Sequence, residues 1–143
     1  PSIKAFNIER AALDWLMTMS LQKMYERFSN LRIVSVENGS SFLPDLFRKL
    51  PQQKNKLMGW FKEDPLELFK EHVWINPFWE DDPYEVADLM GPDRVVFGSD
   101  WPHIEGMPAP LDYVMELKEF SIDDQKKILL DNVSALNEPR PLR

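Results

Sequence analysis

VVFGSDWPH, residues 95–103, is an apolar run that stops at a carboxylate, an indole, a proline and a histidine. Val95, Val96 and Phe97 have the β-branched and aromatic character of a buried strand. Gly91-Pro92-Asp93 turns the chain into that strand, and a loop with three prolines and one glycine, residues 102–110, carries it away.

Two earlier stretches read the same way. Residues 31–36, LRIVSV, lie between Asn30 and Asn38-Gly39, and residues 72–76, HVWIN, end at Pro77. Helical spacing fills the intervals. Leu13, Leu16, Met17, Leu21, Met24 and Phe28 mark an amphipathic helix over residues 9–28. Ser40 or Ser41 is placed to cap a helix over residues 42–50, whose Leu43, Leu46, Phe47 and Leu50 share a face. Residues 52–61 carry a fainter helical pattern. Asp64-Pro65 and Asp82-Pro83 are cap-and-proline starts for helices running to about residue 71 and residue 90. Residues 111–120 show helical spacing, and Ser121-x-x-Asp124 opens a last helix to Leu136, after which the tail 138–143 is expected to fray. Helices alternate with strands and no hairpin signal joins the strands. The pattern predicts a parallel α/β fold with right-handed crossovers.

Composition narrows the function classes. The chain has 143 residues, enough for one domain, and 17 basic against 24 acidic residues give a net charge of −7. That charge repels phosphate backbones and anionic membrane surfaces, so neither nucleic acid nor membrane is an expected partner. Without cysteine there is no disulfide scaffold, thiolate metal site or cysteine nucleophile. A reducing cytoplasm is compatible and is the expected location. No run reaches the ~20 apolar residues of a membrane span. The sequence starts at Pro1 rather than Met, which suggests a piece of a longer chain.

In parallel α/β folds chemistry gathers at the carboxyl ends of the strands. The first strand end presents Glu37-Asn38-Gly39-Ser40-Ser41; the second Asn76 and Phe78-Trp79-Glu80-Asp81-Asp82; the third Ser99-Asp100-Trp101-Pro102-His103. Asp100 is placed to bind a divalent cation and accept a proton from a polarised water, or to cap the turn before Trp101-Pro102. His103 is a metal ligand, a substrate contact or a solvated loop residue. His72, at the amino end of its strand, reads as structural. Ser40 and Ser41 serve as caps or hold an anionic group on the helix N-terminus. Glu80-Asp81-Asp82 is an acidic metal cluster or, with Asp82 capping, a solvated run. Two histidines and no cysteine do not assemble the usual tetrahedral zinc sets.

The 95–103 block, with ILLDNVSAL at residues 128–136, resembles the last strand and terminal helix of amidohydrolase-related (amidohydrolase 2) metal-dependent hydrolases. FSNLRIV at residues 28–34 with Glu37-Asn38-Gly39, and HVWINPF at residues 72–78, resemble the sixth and seventh strand regions. The resemblance implies that residues 1–143 form the carboxyl-terminal part of a (β/α)8 TIM barrel, about three parallel strands with flanking helices. It implies that Asp100 is metal ligand and general base, with zinc or manganese as cofactor, and that Asn38, Trp101 and His103 meet a small carboxylated or cyclic substrate. Hydrolysis and decarboxylation both occur in such proteins. The family's His-x-His on the first strand and its histidine on the fifth have no counterpart here, and where members often carry histidine this chain has Asn38, which hydrogen-bonds but shuttles no proton at neutral pH.

A complete barrel needs about 250 residues and eight strands. Three strands leave two open edges and an apolar inner face. Stable folding is therefore expected only against a missing amino-terminal portion or by self-association, and a cooperatively melting monomer at micromolar concentration in the ultracentrifuge would contradict this. The competing class is a non-enzymatic barrel remnant serving as an interaction or assembly module. An independent flavodoxin-like domain lacks the glycine-rich phosphate loop it would need.

Overall fold

The computed structural model describes residues 4–104 and 106–139. Seven α-helices among these residues surround a small parallel sheet. They are α1 (Lys4–Leu21), α2 (Met24–Arg27), β1 (Ile33–Ser35), α3 (Leu43–Lys56), α4 (Pro65–His72), β2 (Val73–Ile75), α5 (Pro83–Met90), α6 (Ile122–Lys126) and α7 (Asn132–Asn137). The expected alternation is present. Residues 140–143 of the expected frayed tail lie outside the described residues.

β1 and β2 pair in parallel with Val34 opposite Trp74. The expected third strand is reduced to a single parallel bridge, Ile75 to Val95, with the Val96 N–H donating to the Ile75 carbonyl at 2.9 Å. Two more of its backbone groups are used by the carboxyl-terminal helices instead. Phe97 N–H donates to the Ile128 carbonyl at 3.1 Å, and Asn132 Nδ2 donates to the carbonyls of Val95 and Pro92 at 2.7 and 2.9 Å. Ile128 lies in a π-helical turn, Lys127–Asp131, that joins α6 to α7. The single helix expected over residues 121–136 is thus continuous but locally widened.

The core forms where helical faces meet the sheet. Leu16 of α1, Leu43, Leu46 and Leu50 of α3, Phe69 of α4, Val86 of α5 and Ile75 of β2 are buried together. Phe47 and Phe69 meet edge to face at 6.2 Å. His72 ends α4 directly ahead of β2, buried, with Nδ1 2.6 Å from the Leu31 carbonyl and its ring stacked on Tyr25. Its structural reading agrees with this position.

Four local expectations need correction. The helix expected over residues 9–28 breaks at Lys23, whose left-handed backbone (φ 56°) redirects the chain so that Tyr25 packs inward on His72. α3 runs through Pro51 to Lys56, since Leu43, Leu46 and Leu50 already anchor it and the proline forfeits only one backbone bond. Ser40 and Ser41 do not cap it: Phe42 holds the cap position, while the serine hydroxyls donate to Asp81 and Glu9. Residues 111–120 form only a 3-10 segment, Pro110–Met115. There the Tyr84 hydroxyl donates to the Glu116 carbonyl and accepts from the Glu119 N–H, both at 2.9 Å, drawing off backbone groups that a longer helix would use.

The capping readings hold at α4, α5 and α6, where Asp64, Asp82 and Ser121 accept from Leu66, Tyr84 and Asp124 N–H groups. At Asp64, partial burial alone would raise the carboxyl, but the Lys54 ammonium and the Leu66 N–H outweigh it and hold the group below its ordinary value. A depressed folded value contributes stability above the unfolded value near 3.8 that is lost as pH falls through the folded one. Asp64→Ala should therefore cost about 1 kcal/mol in urea unfolding at pH 7, with the difference from the parent protein shrinking below about pH 4.

Candidate active site

The carboxyl ends of β1, β2 and the segment at Val95 open on one cavity of about 250 Å³. Glu37 lines it from the first, Asn76, Phe78, Trp79 and Glu80 from the second, and Asp100 from the third. Three strand ends that are far apart in sequence thus share one mouth.

Two of these residues enter through unusual backbone. Glu37 and Asp100 both have φ 55°, a left-handed conformation that costs a side-chain-bearing residue about 1–2 kcal/mol. The carboxylates of Glu37 and Asp100 and the His103 ring each offer one donor atom, all within 4.8 Å of one another. Asp100 Oδ1 lies 3.0 Å from His103 Nδ1. The turn that follows is closed by the main chain, His103 N–H donating to the Asp100 carbonyl at 2.9 Å. The Asp100 carboxylate is therefore left for the His103 ring. Two carboxylate oxygens and an imidazole nitrogen at this spacing make a donor set that fits a divalent metal ion.

The loop is tied at its base, Met107 N–H donating to the Ser99 carbonyl at 2.8 Å. Gly106 packs against the turn so closely that a Cβ there would lie 2.5 Å from the Asp100 carbonyl oxygen and 3.1 Å from that of His103. Both atoms are backbone and cannot rotate away. Gly106→Ala should cost about 1–3 kcal/mol in urea unfolding and move the NMR signals of the His103 ring.

The loops after β1 and β2 are also joined. Asp81 Oδ2 accepts from the Ser40 hydroxyl at 2.8 Å and from the Phe78 N–H at 3.0 Å, which holds Phe78 over the mouth. The acidic run thus divides its work: Asp82 caps α5, Asp81 braces the loop and Glu80 faces the cavity. Behind it, burial, with Asp81 nearby, pushes the Tyr113 hydroxyl up to about 12, so it stays protonated at neutral pH and serves as no base.

The structure separates the other expected site residues. Asn38 turns back on its own strand, Nδ2 donating to Ser35 Oγ at 3.2 Å and to the Val36 carbonyl at 2.8 Å, and lines a second cavity beside α1. Trp101 is exposed and does not line the first cavity; a cis peptide bond joins it to Pro102. Glu37, one residue before Asn38, was not among the residues expected at the site. The available signal was an acidic residue directly after a strand and ahead of Asn-Gly.

No helix among the described residues is long and apolar enough to cross a membrane. No curated protein matches the chain. Among solved structures, the chain is similar to an amidohydrolase from Mycobacterium avium subsp. paratuberculosis K-10, with 41% identity and a TM-score of 0.87. The match covers 90% of this chain and 33% of that one, so the chain spans about a third of the length of that structure. A family model described as amidohydrolase matches residues 6–136, which is most of the sequence and includes all three strand ends, and the chain therefore belongs to the amidohydrolase family.

Proposed function

We propose that this chain is the carboxyl-terminal part of a (β/α) barrel hydrolase that depends on a divalent metal. The observation that carries the reading is the convergence of Glu37, Asp100 and His103 within 4.8 Å at the strand ends. In this reading Glu37, Asp100 and His103 hold the ion, and zinc is the first choice with manganese second. A bound ion there supplies Lewis-acid polarisation of the bond to be broken.

The chain's own residues supply the rest. Asp100 has two carboxylate oxygens, of which one would face the ion and the other would accept a proton as general base. Phe78 and Trp79 give the mouth apolar walls that orient a flat substrate and exclude water. In this reading decarboxylation is the alternative outcome to hydrolysis. A cytoplasmic location fits the cysteine-free composition.

Among the described residues β1 has β2 as its only strand neighbour, so its other edge is where the remainder of the parent protein, or a second copy, would add strands. The comparisons offer nothing in favour of the assembly-module alternative.

Titration with Mn²⁺ followed by electron paramagnetic resonance tests the reading. One bound ion per chain, displaced by Zn²⁺, is expected. A chain that binds no ion, alone or joined to the rest of its parent protein, would overturn it.

A further inference from the structure

The cavity also carries information about the molecule it takes. Its charged lining residues are Glu37, Glu80 and Asp100, and no lysine or arginine lines it among the described residues. With Glu37 and Asp100 on a divalent ion, two negative charges match two positive ones. Glu80 remains as a surplus negative charge at the same mouth.

The neutral groups point the same way. Asn76, only 8% exposed, donates from Nδ2 to the carbonyls of Pro77 and Val96, both at 3.2 Å. Those two acceptors fix the amide's orientation, because the reversed amide would set oxygen against oxygen. Oδ1 is thereby the atom left to accept from a ligand. Gly98 makes this placement possible: a Cβ there would lie 2.9 Å from Oδ1 and 3.0 Å from Nδ2. Pro77, Phe78 and Trp79 form the apolar wall beside these acceptors.

Resting on the hydrolase reading above, we infer that the cavity selects a substrate with a flat apolar body bearing a neutral or cationic N–H group, and disfavours a carboxylate there. An amidinium, amine or amide donates to Asn76 Oδ1, and the two cationic groups are drawn in addition by the charge of Glu80. A carboxylate in the same place meets acceptors only and is repelled by Glu80.

Benzamidine, benzamide and benzoate share one ring and differ in this group. Their binding to the 143-residue chain, at fixed Zn²⁺ and again with chelator, is read from the NMR signal of the Trp79 indole. Benzamidine is expected to bind at least about tenfold more tightly than benzoate. Glu80→Gln should shrink that ratio several-fold while leaving benzamide unchanged. Equal or tighter benzoate binding, a ratio indifferent to Glu80→Gln, or no binding of any probe would overturn the inference. A parallel Zn²⁺ titration separates it from the reading it rests on. Zinc binding with benzoate preferred removes only the substrate class, whereas benzamidine preference without zinc binding removes only the metal-dependent hydrolase.

Discussion

Asp100→Ala is expected to lower the affinity of the chain for Mn²⁺ by at least about a hundredfold. Loss of an outer-shell partner alone costs metal sites about 10–100-fold, and Asp100 supplies both a donor oxygen and a contact to His103 Nδ1 at 3.0 Å. Removing it takes away one ligand and frees the ring of a second. Alanine at φ 55° also carries backbone strain, so lost affinity in this variant has two possible origins. Asp100→Gly separates them. Glycine adopts that backbone without penalty, and the variant should unfold at equal or higher urea concentration while still failing to bind the ion. Retention of Mn²⁺ by a well-folded Asp100→Gly protein would remove Asp100 from the proposed ligand set.

Asn132→Ala should produce the largest stability loss, about 2–4 kcal/mol in urea unfolding, or a fall in Tm of roughly 10 °C. The Asn132 side chain is buried and gives both its amide hydrogens to main-chain carbonyls, those of Pro92 and Val95. Alanine strips the donor from both acceptors, in a region where little water can replace it. The Val95 carbonyl belongs to the segment that carries Asp100 only five residues later. Loosening should therefore reach the site, and hydrogen exchange at Val96 and Phe97 should accelerate along with the loss of stability. An Asn132→Ala protein as stable as the parent would show that these two bonds do not anchor the segment.

Much of this arrangement was legible in the residues. The alternation of helices and strands, the Asp-Pro and Ser-x-x-Asp caps and the gathering of function at strand ends all follow from local chemistry, and Asp100 stood out because a carboxylate interrupts a buried run. The reduced third strand was not legible. Val95 to Phe97 have full strand character, but their free backbone groups are taken by Ile128 and Asn132, more than thirty residues downstream, a contact that no local pattern encodes. Glu37 was passed over for a similar reason. Its neighbour Asn38 has the more versatile side chain, and only the left-handed turn at Glu37 decides which of the two faces the cavity and which folds back on Ser35. The helix expected over residues 111–120 failed because Tyr84, from another helix, competes for its backbone.

The shared φ of Glu37 and Asp100 bears on how this protein tolerates sequence drift. Aspartate is among the few residues other than glycine that visit the left-handed region with any frequency, so at position 100 the demands of the backbone and of the chemistry coincide. Glutamate has no such affinity for it. At position 37 the carboxylate is therefore carried at a backbone cost that glycine would escape.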